Sequence, residues 1–506
     1  TDPNFYRSVR NQQGLANARG EFLFANAGSG LSERAYFAYF GRVSYDYLDK
    51  YLVTATARYD MSSNFAPENR AKLFPAVSAA WRISSEDFFK DQLPFITDLK
   101  LRGSWGQLGN DRIGRDFPYV ARVAPFGWYT IGAAQSSQQA SGIPDLTNRS
   151  LRWEVNESID AGFDLTLFGK LNLLATYYTR NTKDFLYNLP VNRTSGFGSI
   201  PVNLGQVNNR GFEFETSYRT SLAKSGSIEF FGNLTTVRNR LVSLAPGVNE
   251  FASGDYRTAV GFPIGYFYGF KTQGIYQNQN EADKALLDRF NGRNAPLPGD
   301  VIFQDNNGPG TDGQQFSGTA DGEITAQDRT YLGKTIPDFF YGFGLNANLK
   351  GFDLNMLFQG VAGISVFNSL RRGAETMGGV GRNKLASTQE RWRGEGTSNS
   401  MPRATANDRN ANDRFSDRWV EDASFLRFKN IQLGYTLPRQ VLDKVKLFQG
   451  ARVYVAATNL FRITKYTGLD PEVVTFGDPT SQLFAGTDAG NIPQPVTVQI
   501  GANLTF

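Results

Sequence analysis

The feature that most constrains this chain is a strict two-residue alternation, in segments of about ten residues, repeated along its length. In the last segment Val496, Val498, Ile500, Ala502, Leu504 and Phe506 alternate with Thr497, Gln499, Gly501, Asn503 and Thr505. An extended strand turns successive side chains to opposite faces, so this segment has one apolar and one polar face. Ile159, Ala161, Phe163, Leu165 and Leu167 repeat the pattern against Asp160, Gly162, Asp164 and Thr166. Phe339, Tyr341, Phe343, Leu345, Ala347 and Leu349 do the same, as do Phe212, Phe214, Thr216 and Tyr218 against Glu213, Glu215, Ser217 and Arg219. About ten residues is the length of a tilted strand crossing a bilayer.

Alternation alone also fits a soluble sandwich. The connections discriminate. Some are very short, at Leu48-Asp49-Lys50, Phe168-Gly169-Lys170 and Lys350-Gly351, and others very long, over 109–155, 240–336, 362–424 and 461–493. Short turns on one side and long loops on the other describe an outer-membrane barrel, whereas soluble domains rarely carry structureless loops of that length.

The pattern predicts an all-β, antiparallel transmembrane β-barrel with strands near 36–47, 51–60, 72–83, 98–108, 156–167, 171–181, 207–219, 227–239, 337–349, 352–361, 425–437, 450–460 and 494–506. With the short turns in the periplasm, direction alternates without conflict to a periplasmic C-terminus. The run 262–270 also reads as a strand, but a lone crossing there would break the alternation. It is assigned to an extracellular loop or to an unrecognised partner. Thirteen is odd, and closed single-chain bacterial barrels have an even number of strands. The expectation is that the barrel's N-terminal part lies outside this sequence. Residues 1–35 are then an upstream barrel remnant or extracellular loop, with part of a preceding strand in 4–26, and 36–506 form the C-terminal part of the barrel.

Composition agrees. Aromatics are 14% of residues and glycine numbers 52, in a chain whose mean hydropathy is only −0.38. Many aromatics in a polar chain suit a wall with lipid on one side and water on the other. Cysteine and histidine are both absent. Disulfides, thiolate metal sites, serine–histidine triads and histidine-ligated zinc are therefore excluded. The 53 basic and 48 acidic residues are interspersed, as in Glu68-Asn69-Arg70 and Arg414-Phe415-Ser416-Asp417-Arg418. That reads as a solvated loop surface and not as a nucleic-acid interface. No run of about 18 apolar residues offers a transmembrane helix.

Several stretches resemble a known family in order and spacing. They are Tyr39-Phe40-Gly41-Arg42-Val43-Ser44-Tyr45 leading into 51–60, Leu73-Phe74-Pro75-Ala76-Val77-Ser78-Ala79-Ala80-Trp81-Arg82, and Leu99-Lys100-Leu101-Arg102-Gly103-Ser104-Trp105-Gly106. Further along are Trp153-Glu154, Tyr177-Tyr178, Asn208-Asn209-Arg210-Gly211-Phe212-Glu213, 422–430 and Ala457-Thr458-Asn459-Leu460-Phe461. The chain resembles the C-terminal half of SusC/RagA-type TonB-linked (TonB-dependent) outer-membrane transporters. The resemblance implies a 22-stranded barrel, about the size of other outer-membrane transporters, closed by an N-terminal plug that this sequence lacks. It implies coupling to the TonB complex through that missing part, a SusD-like surface lipoprotein as lid, and import of a glycan or peptide oligomer.

Five local features carry possible functional readings. Phe506 closes an alternating strand and reads as the signal taken by the barrel-assembly machinery; the bland alternative is an ordinary last residue. Asp305-Asn306-Asn307-Gly308 with 321–328 resembles a split calcium loop, with Asp305, Asn307, Asp321 and Asp328 as candidate Ca2+ ligands. A glycine-rich insertion, 309–320, separates the halves, and a solvated acidic turn is the alternative. The loop aromatics Phe126, Trp128 and Tyr129 could stack on a sugar, meet a lid protein or pack the loops. Glu213 and Glu215 point into the lumen by parity and read as polar lining and not as an acid/base pair. Gly261, Gly265 and Gly269 read as relief of crowding beside aromatics. The expected partners are the lipoprotein, the TonB complex, the assembly machinery, and lipid and lipopolysaccharide. The rival function is a structural or anchoring subunit of a larger surface assembly.

Overall fold

The computed structural model describes residues 33–506 apart from 91, 134, 144, 223–225, 249, 293, 309–317, 379–380, 382, 446–447, 474–482 and 484. The readings for 4–26, and all but the last three residues of 1–35, lie outside the described residues. Thirteen long strands follow one another in a single antiparallel sheet: β1 Tyr36–Tyr47, β2 Tyr51–Ser62, β3 Ala71–Arg82, β4 Ile96–Asn110, β5 Glu154–Leu167, β6 Leu171–Lys183, β7 Gly205–Leu222, β8 Gly226–Thr236, β9 Phe339–Leu349, β10 Phe352–Ala362, β11 Phe425–Thr436, β12 Gly450–Thr464 and β13 Thr497–Thr505. Each predicted strand is present, with ends shifted by up to four residues.

Each strand pairs with its sequence neighbour, so the sheet is a meander. The tight turns explain the register. Leu48 and Asp49, Phe168 and Gly169, and Lys350 and Gly351 all have positive φ. That is the type I′ geometry whose twist matches two flanking strands. In the first turn the Asp46 carboxylate also accepts from the Asp49 amide at 2.9 Å. Among the described residues the sheet is open: β1 pairs only with β2, and β13 only with β12.

The alternation becomes two faces. Ile500 on β13 is 86% exposed, and Val498, Phe212, Phe230 and Ile159 stand out on the same apolar face. A face of that kind is stable only against hydrocarbon or another protein layer. No helix is long and apolar enough to cross a membrane among the described residues.

The buried apolar clusters lie toward the long-loop end. Phe65, Phe74, Ile113, Leu151, Trp153 and Val155 form one. Phe267, Phe367, Phe415 and Trp419 form another. The run 262–270 contributes Tyr266–Gly269 to a four-stranded loop sheet with Glu250–Ser253, Tyr256–Ala259 and Thr330–Gly333. It is thus a loop strand with local partners and not a crossing. Gly269 permits the packing, because a Cβ there would meet Phe415 Cδ1 at 2.6 Å and the Phe415 carbonyl at 2.7 Å. Gly265 sits equally close to the Leu483 backbone at φ +60°, while a Cβ at Gly261 would have room.

Candidate functional site

The polar face of the sheet carries a belt of cross-strand contacts. Lys100 on β4 reaches Asp164 on β5 at 2.6 Å, and the Arg102 Nε reaches the same carboxylate at 2.9 Å. Asn172 on β6 donates to Ser217 on β7 at 3.1 Å. Asn346 on β9 donates to Glu229 on β8 at 3.3 Å, and Asn430 on β11 to Asn355 on β10 at 2.9 Å. Arg452 on β12 donates to Asp353 on β10 at 2.9 Å. Glu213 lies on this face, 3.8 Å from Arg180, and the register places Glu215 on the same side. No proton-transfer pair forms there. Side chains so matched in charge and hydrogen bonding line an aqueous interior.

At the long-loop end the belt opens into a cleft of about 520 Å³, lined among others by Asn110, Arg112, Glu154, Asn188 and Asn209. The register sets Glu154 and Asn209 on the polar face. Above it the loops are knitted together. Ser365–Asn368 pairs with Val420–Asp422 and, in parallel, with Thr487–Asp488. Tyr187 and Leu204, from the loop between β6 and β7, share one apolar cluster with Ile264 from the loop between β8 and β9 and Leu483 from the last loop. Buried ion pairs lock the crossings: Arg414 to Asp288 at 2.5 Å, Arg403 to Asp300 at 2.8 Å and Arg427 to Asp470 at 2.6 Å. The dry interior moves titrations. Burial pushes the Tyr266 hydroxyl up to about 12, and burial together with the neighbouring Arg371 charge pulls Arg418 down to about 10. A cap ordered in this way is a fixed rim around the cleft.

The predicted calcium residues come together, but on each other's backbone. Asp305 accepts from the Asp321 amide at 3.2 Å and the Gly322 amide at 2.7 Å. Asn307 accepts from Gly318, and Asp321 from Glu323. Asp328 is wholly buried and accepts from the amides of Asn306, Asn307 and Thr325. Burial pushes its carboxyl up, against the pull of those amides. No group of three or more His, Cys, Asp or Glu side chains is arranged to hold a metal among the described residues.

Trp128 and Tyr129 are exposed on the hairpin Ala124–Ile131/Ser136–Gly142; the Phe126 side chain lies outside the described residues. Phe506 is exposed, with its ring 5.2 Å from that of Phe448. Sequence reasoning missed the buried ion pairs, whose partners lie 43 to 126 residues apart with no local period to announce them.

Residues 2–460 match the family described as TonB dependent receptor-like, beta-barrel. The chain belongs to that family. TonB-dependent receptors are barrels of the outer membrane and are transport proteins, not enzymes. TonB-dependent receptor P3 of Formosa agariphila is 33% identical over 98% of this chain and 48% of the relative. TonB-dependent receptor SusC of Bacteroides thetaiotaomicron is 30% identical over 93% of this chain and 43% of its own. A solved structure described as the RagAB peptide transporter superposes with a TM-score of 0.77 at 24% identity, covering 99% of this chain and 50% of that one. The chain thus spans about half the length of the relatives it matches. Within this receptor barrel the belt of polar contacts is the inner wall, and the exposed apolar face meets lipid.

Proposed function

We propose that the complete protein imports a nutrient oligomer, a glycan or a peptide, across the outer membrane. The observation that carries this reading is the polar inner wall opening into a cleft beneath a knitted loop cap. The long loops are placed outside the cell and the tight turns in the periplasm. Capture at the cap would be completed by a SusD-like lipoprotein acting as a lid, and energy would arrive through TonB at a segment outside residues 1–506. The similarity to SusC and to the RagAB peptide transporter supports this division of labour. Phe506, ending the last strand, is proposed as the signal read by the barrel-assembly machinery.

The test is purification of the full-length protein in mild detergent from its own membranes. A surface lipoprotein at equal stoichiometry, with oligomer uptake lost on deletion of the gene, supports import. A large assembly with no lipoprotein and unchanged uptake supports the anchoring role instead.

Calcium at the 305–328 turn is a second, separate proposal. Its support is the convergence of Asp305, Asn307 and Asp321 across the insertion. The amide donors that already occupy these oxygens support a self-closed turn, and calorimetric titration of Ca2+ decides between the two.

A further inference from the structure

Near the loop end the outward face turns charged: Glu157 on β5 and Lys183 on β6 pair with each other there, and β7 and its neighbouring extension carry a group of arginines. On β7, Phe212 and Phe214 face outward, and Arg210 lies on the same face two residues nearer the loop end, about 7 Å along the strand. Its direct cross-strand partner in the 238–244 extension is Arg238, and the next outward position pairs Asn208 with Arg240. Like charges directly opposed on one face repel, yet the sequence places three arginines there. All three are exposed. None is ion-paired to a carboxylate among the described residues.

The surroundings fix the height of this patch. Tyr177 and Phe212 touch just below it, with ring centroids 5.1 Å apart, and Trp105 lies on the same outward face of β4. Such rings mark the boundary between hydrocarbon and headgroups. Thr179 and Asn181 on β6 turn polar at the level of Arg210 and Asn208. Two clefts flank the arginines. One, of about 390 Å³, is lined by Asn181, Asn208, Arg210, Arg240 and Val260. The other, of about 620 Å³, adds Tyr331 and Lys334; Lys334 is neutralised there by Asp338.

We infer that Arg210, Arg238 and Arg240 form a binding site on the outer wall for the phosphate groups of the outer leaflet's glycolipid. Guanidinium groups match phosphate oxygens in a bidentate fork. A phosphate between Arg210 and Arg238 would turn their mutual repulsion into a shared attraction. The clefts give room for the sugar, and the apolar wall below takes the acyl chains. The inference rests on the outer-membrane setting and not on import.

The test uses the full-length protein in nanodiscs containing lipid A, dephosphorylated lipid A or neither, read by native mass spectrometry. The triple variant Arg210→Gln, Arg238→Gln, Arg240→Gln is compared with the parent, and heat-modifiable gel mobility confirms that both barrels are folded. The inference expects lipid A to stay on the parent, with at least about tenfold less on the folded triple variant. It expects little retention of the dephosphorylated lipid and no displacement by inorganic phosphate. Equal retention by parent and folded variant overturns it. So does equal retention of the dephosphorylated lipid, full displacement by inorganic phosphate, or loss of a bound lipoprotein with lipid retention unchanged.

Discussion

Arg427 on β11 donates to Asp470 at 2.6 Å with both side chains almost wholly buried, and Arg462 on β12 lies 3.6 Å from the same carboxylate, so a desolvated ion cluster ties the last long loop to the barrel wall. Glu472 adds a second carboxylate at 2.9 Å. Removing one partner of such a pair strands a buried charge, at a cost of about 3–5 kcal/mol. Arg427→Met is expected to release the 465–496 loop, seen as faster proteolysis and amide exchange there with strand protection unchanged. Adding Asp470→Leu is expected to recover only part of the loss, because it removes the more deeply buried carboxylate while Glu472 stays without its arginine.

A pH dependence is expected at the tight-turn end of the sheet. Glu86 accepts from the Tyr51 hydroxyl at 2.7 Å, the Lys50 ammonium at 3.0 Å and the Trp81 indole at 3.1 Å. These donors hold its carboxyl down at about 2, from an ordinary value of 4.5. A depressed carboxyl contributes stability that is present above the unfolded value and lost as pH falls toward the folded one. Glu86→Gln should therefore lower the unfolding midpoint near neutral pH. The gap to the parent should narrow from about pH 4.5 downward and be nearly closed near pH 2. A gap independent of pH would point to packing instead.

How far the sequence went depends on the range of each signal. Strands such as 171–183 and 497–505 were legible because parity repeats every two residues and needs no distant partner. The tight turns were legible for the same reason, each being set by its own two residues. The loop cap was not: Phe267 meets Phe415, and Arg414 meets Asp288, across more than a hundred residues with no repeat between them. The outward arginines were overlooked because Arg210, Arg238 and Arg240 look scattered in the chain and become a row only through the register. The acidic turn was legible as a convergence, while the amides that donate to its oxygens belong to the backbone, which a side-chain motif does not display.

The cap depends on close approach at one glycine. Gly269→Val is expected to push Phe415 out of the cluster it shares with Phe267, Phe367 and Trp419, at about 1–3 kcal/mol as for other overpacked sites. Co-purification of the proposed surface lipoprotein should fall while heat-modifiable mobility of the barrel stays. Adding Phe415→Leu should relieve only the ring contact and leave most of the loss, because the Phe415 carbonyl stays 2.7 Å from the new Cβ.

For the acidic turn, the thermal midpoint of the full-length protein in Ca2+ should equal that in chelator if the turn is closed by its own amides. If calcium binds, the midpoint rises with Ca2+ concentration, and Asp305→Asn abolishes the rise.

The most direct test of the two-faced wall is a cysteine scan of β13, in a chain that has no cysteine of its own. Single cysteines from 497 to 505 are placed in the full-length protein in its membrane and treated with a water-soluble, membrane-impermeant maleimide added from both sides. Reaction is expected at Thr497, Gln499, Gly501 and Asn503, with Val498, Ile500 and Leu504 shielded by lipid. Uniform labelling, or a period near 3.6 residues, would contradict the barrel wall and the water-filled passage it encloses.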